Sequence, residues 1–153
     1  MKPFNLQTVL DYRKRLEDIA KSRLIDARKI FHTVQEKYTS QKNILDQTLM
    51  TFDKLQREGI DIVELIRYED HLEQLRENLK AIEKTLQEKQ HTVAIEQENL
   101  TRRAKERQIM EKLKVNQNNA WQAYLNKKEA AMLDEIAIIR HDRQESQQEK
   151  ENS

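Results

Sequence analysis

Four histidines, His32, His71, His91 and His141, are the side chains of this sequence best suited to proton transfer or metal binding. His141 precedes Asp142, and Glu69, Asp70 and Glu73 surround His71. A zinc centre needs three or four converging ligands. No two of the histidines stand at a metal-ligating spacing. Solvated histidines on a helix are the simpler reading, and a solvated acidic face is the simpler reading of the carboxylates around His71. Phosphate-binding loops and dinucleotide fingerprints need several glycines, so that the backbone can wrap the phosphates. The chain has one glycine in 153 residues. It has no cysteine, hence no thiol nucleophile and no disulfide. No set of residues assembles a nucleophile, a base and an oxyanion site. The expectation is a protein that is not an enzyme and uses no metal or cofactor.

The chemistry left is recognition. TRRAKERQIMEKLK, residues 101–114, sets Arg102, Arg103, Lys105, Arg107, Lys112 and Lys114 against Glu106 and Glu111 alone. Such a stretch can face an acidic partner or phosphates. It is also what a salt-bridged coil surface looks like, with Glu and Lys at helical neighbour spacing, and that reading is preferred. Trp121, the only tryptophan, stands three residues before Tyr124 and shortly before LDEIAIIRHDR.

Long helices must carry these groups. Charged residues make up 36% of the chain and aromatics 5%, with one proline beside the one glycine. An excess of Glu, Lys, Arg, Gln and Leu with almost nothing that turns is the composition of a coiled coil. Helices of this kind bury a seam rather than a thick core. A net charge of +1 with both signs interspersed argues against bulk nucleic-acid binding. The N-terminus lacks the apolar run of a signal peptide. No stretch approaches the ~20 apolar residues that span a bilayer. The absence of cysteine suits a reducing cytoplasm.

Asn5 can cap a helix beginning at Leu6, with Phe4 and Val9 as its hydrophobic staple and Pro3 outside it. A seam then runs Leu6, Val9, Arg13, Leu16, Ala20, Leu24, Ala27, Phe31, Val34, Tyr38, Gln41, Leu45, Thr48, Phe52, Leu55. All but Arg13, Gln41 and Thr48 are apolar or aromatic. The steps alternate three and four, with one extra four at Leu24, which reads as a heptad repeat with a stutter. Gly59 fits the left-handed position that ends a helix. Asp61 and Glu64 form a capping box for the next helix, with Ile60 and Leu65 as its staple. Stop and start signals this close favour an antiparallel hairpin. One continuous helix with a tolerated glycine is the alternative.

The second seam runs Leu65, Tyr68, Leu72, Leu75, Leu79, Ile82, Leu86, Lys89, Val93, Glu96, Leu100. Beyond Leu100 the same register meets Arg103, Arg107, Met110, Lys114, Gln117, Trp121 and Tyr124, so the seam weakens or shifts there. The expected architecture is all-α, one coiled-coil hairpin over residues 1–143. Helix 1 covers about 5–58, the bend 59–61 and helix 2 about 62–143, with a disordered polar tail at 144–153. Folded back, the first helix (roughly 80 Å) ends against the second near residue 115. Some 25 to 30 residues of the second helix, roughly 40 Å, then project beyond the paired region. Large apolar groups on a helix without a partner mark a contact site.

Three stretches together resemble the flagellar export protein FliJ family. They are FNLQTVLDYRKRLED at the start, GIDIVELIRYEDHLEQL at mid-chain, and WQAYLNKKEAAMLDEIAIIRHDR near the end, so that the resemblance covers residues 4–143. The patterns F-x-L-Q-x-V/L-L-x-x-R and K-K-E-x-x-x-L-D-E-x-A carry most of it. The resemblance implies a soluble antiparallel two-helix coiled coil, similar to the central stalk of rotary ATPases, in the flagellar type III export apparatus. It implies a cytoplasmic location at the flagellar base, peripheral to the inner membrane. Its implied partners are the export ATPase hexamer, the membrane export gate and export chaperones. By this resemblance the terminal end of the hairpin enters the ATPase ring with Phe4, Leu6, Val9, Leu10, Trp121, Tyr124, Leu133, Ile136, Ile139 and Arg140. The gate contact lies nearer the bend, at Tyr68, His71, Leu75 and Asn78. The stalk of a virulence type III secretion system and a generic dimerising coiled coil are the alternatives.

Overall fold

A computed structural model describes residues 4–152. It has two helices, α1 (Gln7–Glu58, 52 residues) and α2 (Ile62–Glu151, 90 residues), and no strand among the described residues. They form an antiparallel hairpin whose second helix is the longer, as the two seams predict. No helix among the described residues is long and apolar enough to cross a membrane.

The bend is built as its residues dictate. Gly59 has φ +98°, in the left-handed region that side chains disfavour. Asp61 takes the N-cap position of α2, because its carbonyl accepts the first helical bond, from the Leu65 N–H at 2.9 Å. Glu64 in the first turn of α2 and Arg57 in the last turn of α1 complement the helix dipoles. A Cβ on Gly59 would meet nothing within 4 Å, so conformation alone requires glycine there. Gly59→Ala is therefore expected to lower stability by about 1–2 kcal/mol. Thermal unfolding followed by circular dichroism reads this, and an unchanged midpoint would show that the bend relaxes without strain.

The start of α1 differs from expectation. Its first helical bond runs from the Leu10 N–H to the Leu6 carbonyl, which puts Leu6 rather than Asn5 at the N-cap. Asn5 lies in a turn closed by the Gln7 N–H donating to the Phe4 carbonyl at 3.1 Å. Phe4 is buried with Leu10 and Met110, while Val9 is exposed, so the staple expected between Phe4 and Val9 does not form. Pro3 lies outside the described residues.

The seam of α1 is more regular than the apolar residues suggested. Buried and half-buried positions run Leu10, Arg13, Glu17, Ala20, Leu24, Ala27, Phe31, Val34 and on to Leu55, with strict alternation of three and four. The stutter disappears once Glu17 replaces Leu16 and Leu10 replaces Val9. Glu17 is 5% exposed, and its carboxylate pairs with the Lys21 ammonium at 3.2 Å. The sequence reading preferred apolar residues and so stepped round a buried carboxylate. In α2 the seam holds its register past Leu100 through Arg103, Arg107, Met110, Lys114, Gln117 and Trp121. It becomes more polar there and does not shift.

Where a polar tail was expected from residue 144, α2 continues unbroken to Glu151. Gln, Glu, Lys and Arg are good helix formers, and no glycine or proline interrupts them. A pair such as His141 with Glu145 at 3.7 Å supports a helix that is polar all round. Lack of periodicity removed the reason for burial without removing the propensity for helix.

The hairpin comprises two compact units. One is Lys14–Lys105, and the other joins Met1–Arg13 with Glu106–Ser153. In the first, Leu45, Leu72 and Leu75 make the buried core, with Leu49, Phe52 and Leu79 packed around them. Phe52 stacks on Tyr68 at 5.6 Å between ring centroids, and Arg28 reaches Gln97 at 3.0 Å. In the second unit the core is Phe4, Leu10 and Met110, and the Arg13 guanidinium donates to the Glu106 carbonyl at 3.0 Å.

Candidate functional site

Past Trp121 every described residue, 122–152, is exposed. Its helix carries a stripe made of Trp121, Leu125, Met132, Ile136 and Ile139, separated by steps of four, seven, four and three, which return to one side of an α-helix. Trp121 is half-buried, stacked on Tyr124 at 5.5 Å. Leu125, Met132, Ile136 and Ile139 are 38 to 56% exposed. Tyr124 and Leu133 lie exposed at opposite edges of this stripe, and Arg140 lies on the Leu133 edge.

Of the ten residues assigned to the terminal end, Phe4 and Leu10 are buried in the cluster with Met110. They hold α1 on α2 and offer no surface. Leu6 and Val9 are exposed beside them. The other six lie along the free part of α2. Leu125 and Met132 were missed. The sequence reading carried the heptad register on through Tyr124, whereas a helix without a partner keeps its 3.6-residue period and brings Leu125 and Met132 beneath Trp121.

A second surface lies nearer the bend. Gln47, Thr48 and Thr51 of α1 and Arg67, Tyr68 and His71 of α2 line one shallow groove of about 500 Å³. Stepping along both helices from this groove by heptads gives Ser40, Ile44, Gln47 and Thr51 on α1. On α2 it gives His71, Gln74, Asn78, Ala81 and Thr85. None of these nine carries a formal charge, in a chain that is 36% charged, although Arg67, one step of four before His71, stands at the bend end of the run and lines the groove. All but Thr85 are exposed. The Thr51 and Thr85 hydroxyls donate to carbonyls of their own helices, at 3.0 and 3.1 Å, so their methyl groups are left to the surface. The opposite flank, marked by the Arg28–Gln97 contact, repeats Lys14, Lys21, Arg28 and Lys42 on α1.

The four residues assigned near the bend divide in the same way. His71 and Asn78 are exposed on the uncharged flank, Tyr68 is half-buried at the floor of the groove, and Leu75 is buried in the core. Leu75 therefore supports the surface from beneath.

The remaining chemical candidates resolve into helix surface. Arg107 pairs with Glu111 at 2.7 Å, an ion pair of the kind expected for residues 101–114, and Arg102 donates to the Asn99 side chain at 2.9 Å. His141, Asp142 and Glu145 bring ligand atoms within 4.8 Å of one another, but all three are exposed, and adjacent turns of any helix do the same.

No curated protein and no solved structure matches this chain significantly. A protein-family model does: that of the flagellar FliJ protein, over residues 1–146 of the 153. With the two-helix hairpin and the long second helix already established, the chain belongs to the flagellar FliJ protein family.

Proposed function

We propose that this chain is a stalk of the flagellar export apparatus that binds and stimulates the export ATPase hexamer. The observation that carries this reading is the free end of α2, exposed from residue 122 onward and striped with large apolar side chains. A single helix in a ring of identical subunits presents a different face to each. Trp121, Tyr124, Leu133, Ile136, Ile139 and Arg140 supply those faces, and Leu6 and Val9, exposed at the start of α1, add to the contact. Unequal contacts shift the nucleotide equilibria of the subunits unequally, because a ligand moves an equilibrium only through differential affinity. The protein works as a component at the cytoplasmic side of the inner membrane and does no chemistry of its own.

The uncharged flank with Tyr68, His71 and Asn78 is the surface for the membrane export gate, and export chaperones are further partners. A flank that costs no charge desolvation is suited to a second protein surface. Asn78→Glu places a charge at its centre. We expect helicity and unfolding midpoint to stay within about 0.5 kcal/mol of the parent, since the position is exposed. Affinity for the cytoplasmic part of the gate should fall about tenfold or more by calorimetry. Unchanged gate binding would remove this flank from the interface. Direct titration of the export ATPase tests the stalk reading itself.

A further inference from the structure

We propose that the free end of α2 is also a self-association surface, through which two copies of the chain pair antiparallel over residues 121–143 with Met132 at the two-fold axis. About that point Leu125 and Ile139 exchange places, while Ile136 meets the aliphatic stem of the partner subunit's Lys128. Leu125 then faces the partner subunit's Ile139, and Trp121 faces the partner subunit's Arg143, a cation over an aromatic ring. The two-fold repeats both contacts.

Charge selects this register. Glu129 and Arg140 lie on one edge of the stripe, each four residues after an apolar stripe position, Leu125 and Ile136. The hairpin itself shows how such edges meet. Phe52 and Tyr68 face each other in the seam, and Arg28 and Gln97 meet on the flank, where the two residue numbers total five more. Glu129 and Arg140 likewise total five more than Met132 taken with itself. The antiparallel pair therefore sets Glu129 beside the partner subunit's Arg140, twice. The acid and the base are spaced to meet their own copies in reverse order.

Pairing covers Leu125, Met132, Ile136 and Ile139, which are otherwise open to water. The dimer stands independently of the stalk reading. Its consequence rests on that reading: the stripe that would enter the ATPase ring is masked in the dimer, so the free protein is stored with its contact surface closed.

The test uses the full chain alone, so its result is independent of any ATPase. Light scattering across a concentration series should show the mass rising from 18.4 kDa toward twice that value. Glu129→Arg and Arg140→Glu should each weaken the dimer about tenfold, and the two together should restore it. Both positions are exposed, so helicity should not change. The chain has no cysteine, so Met132→Cys should form a disulfide dimer under mild oxidation, whereas Ala130→Cys, on the opposite face, should not. A monomer at every concentration, or a dimer indifferent to both charge reversals, would overturn the proposal.

Discussion

A chain ended after Asn119 is expected to lose binding to the export ATPase and all stimulation of it while remaining a folded hairpin. Every buried residue among the described ones precedes the cut. The core of Leu45, Leu72 and Leu75 and the cluster of Phe4, Leu10 and Met110 are both complete before it in the sequence. What goes is the helix from Ala120, with half-buried Trp121, exposed Tyr124 and the stripe through Ile139. Removing such a contact surface should cost at least about a hundredfold in affinity, since a few large apolar anchors carry most of the energy of an interface. Co-sedimentation with the ATPase and its hydrolysis rate read the loss, and circular dichroism reads the fold. Stimulation retained by the shortened chain would place the contact elsewhere.

The second large effect is on stability. Leu72 is 3% exposed, packed with Leu45 and Leu75. A two-helix seam has little core to spare, because each layer holds only one or two residues from each helix. Leu72→Ala is expected to cost about 2–4 kcal/mol, from lost burial plus the cavity left behind. Ile95→Ala, at a side chain 49% exposed, should change stability by less than about 1 kcal/mol and serves as the control. Urea unfolding measures both. A loss below 1 kcal/mol for Leu72→Ala would mean that the cluster does not hold the helices together.

The fold was legible because its signals are local. One glycine, flanked by a helix stop and a helix start, set the bend. Apolar residues at alternating spacings of three and four set two seams. What was not legible was burial that contradicts residue type. Glu17 lies in the seam and Leu16 beside it, since the register of the whole helix outweighs the preference of one residue. Arg103, Arg107, Lys114 and Gln117 continue the second seam for the same reason. Long side chains bury their stems while their charged heads reach outward. The terminal surface was half legible. Trp121, Ile136 and Ile139 were singled out and lie on the stripe past the paired region, whereas Phe4 and Leu10 are buried. Sequence marks a residue as apolar without saying which partner covers it. The uncharged flank near the bend went unseen because an absence of charge stands out only once two helices are set side by side.

Hydrolysis of ATP by the cognate export ATPase, titrated with the full chain, tests the central claim most directly. The stalk reading predicts stimulation that saturates near one chain per hexamer and is lost when Trp121 and Ile136 are both changed to alanine. No stimulation at any ratio, or stimulation that needs one chain for every ATPase subunit, would contradict it.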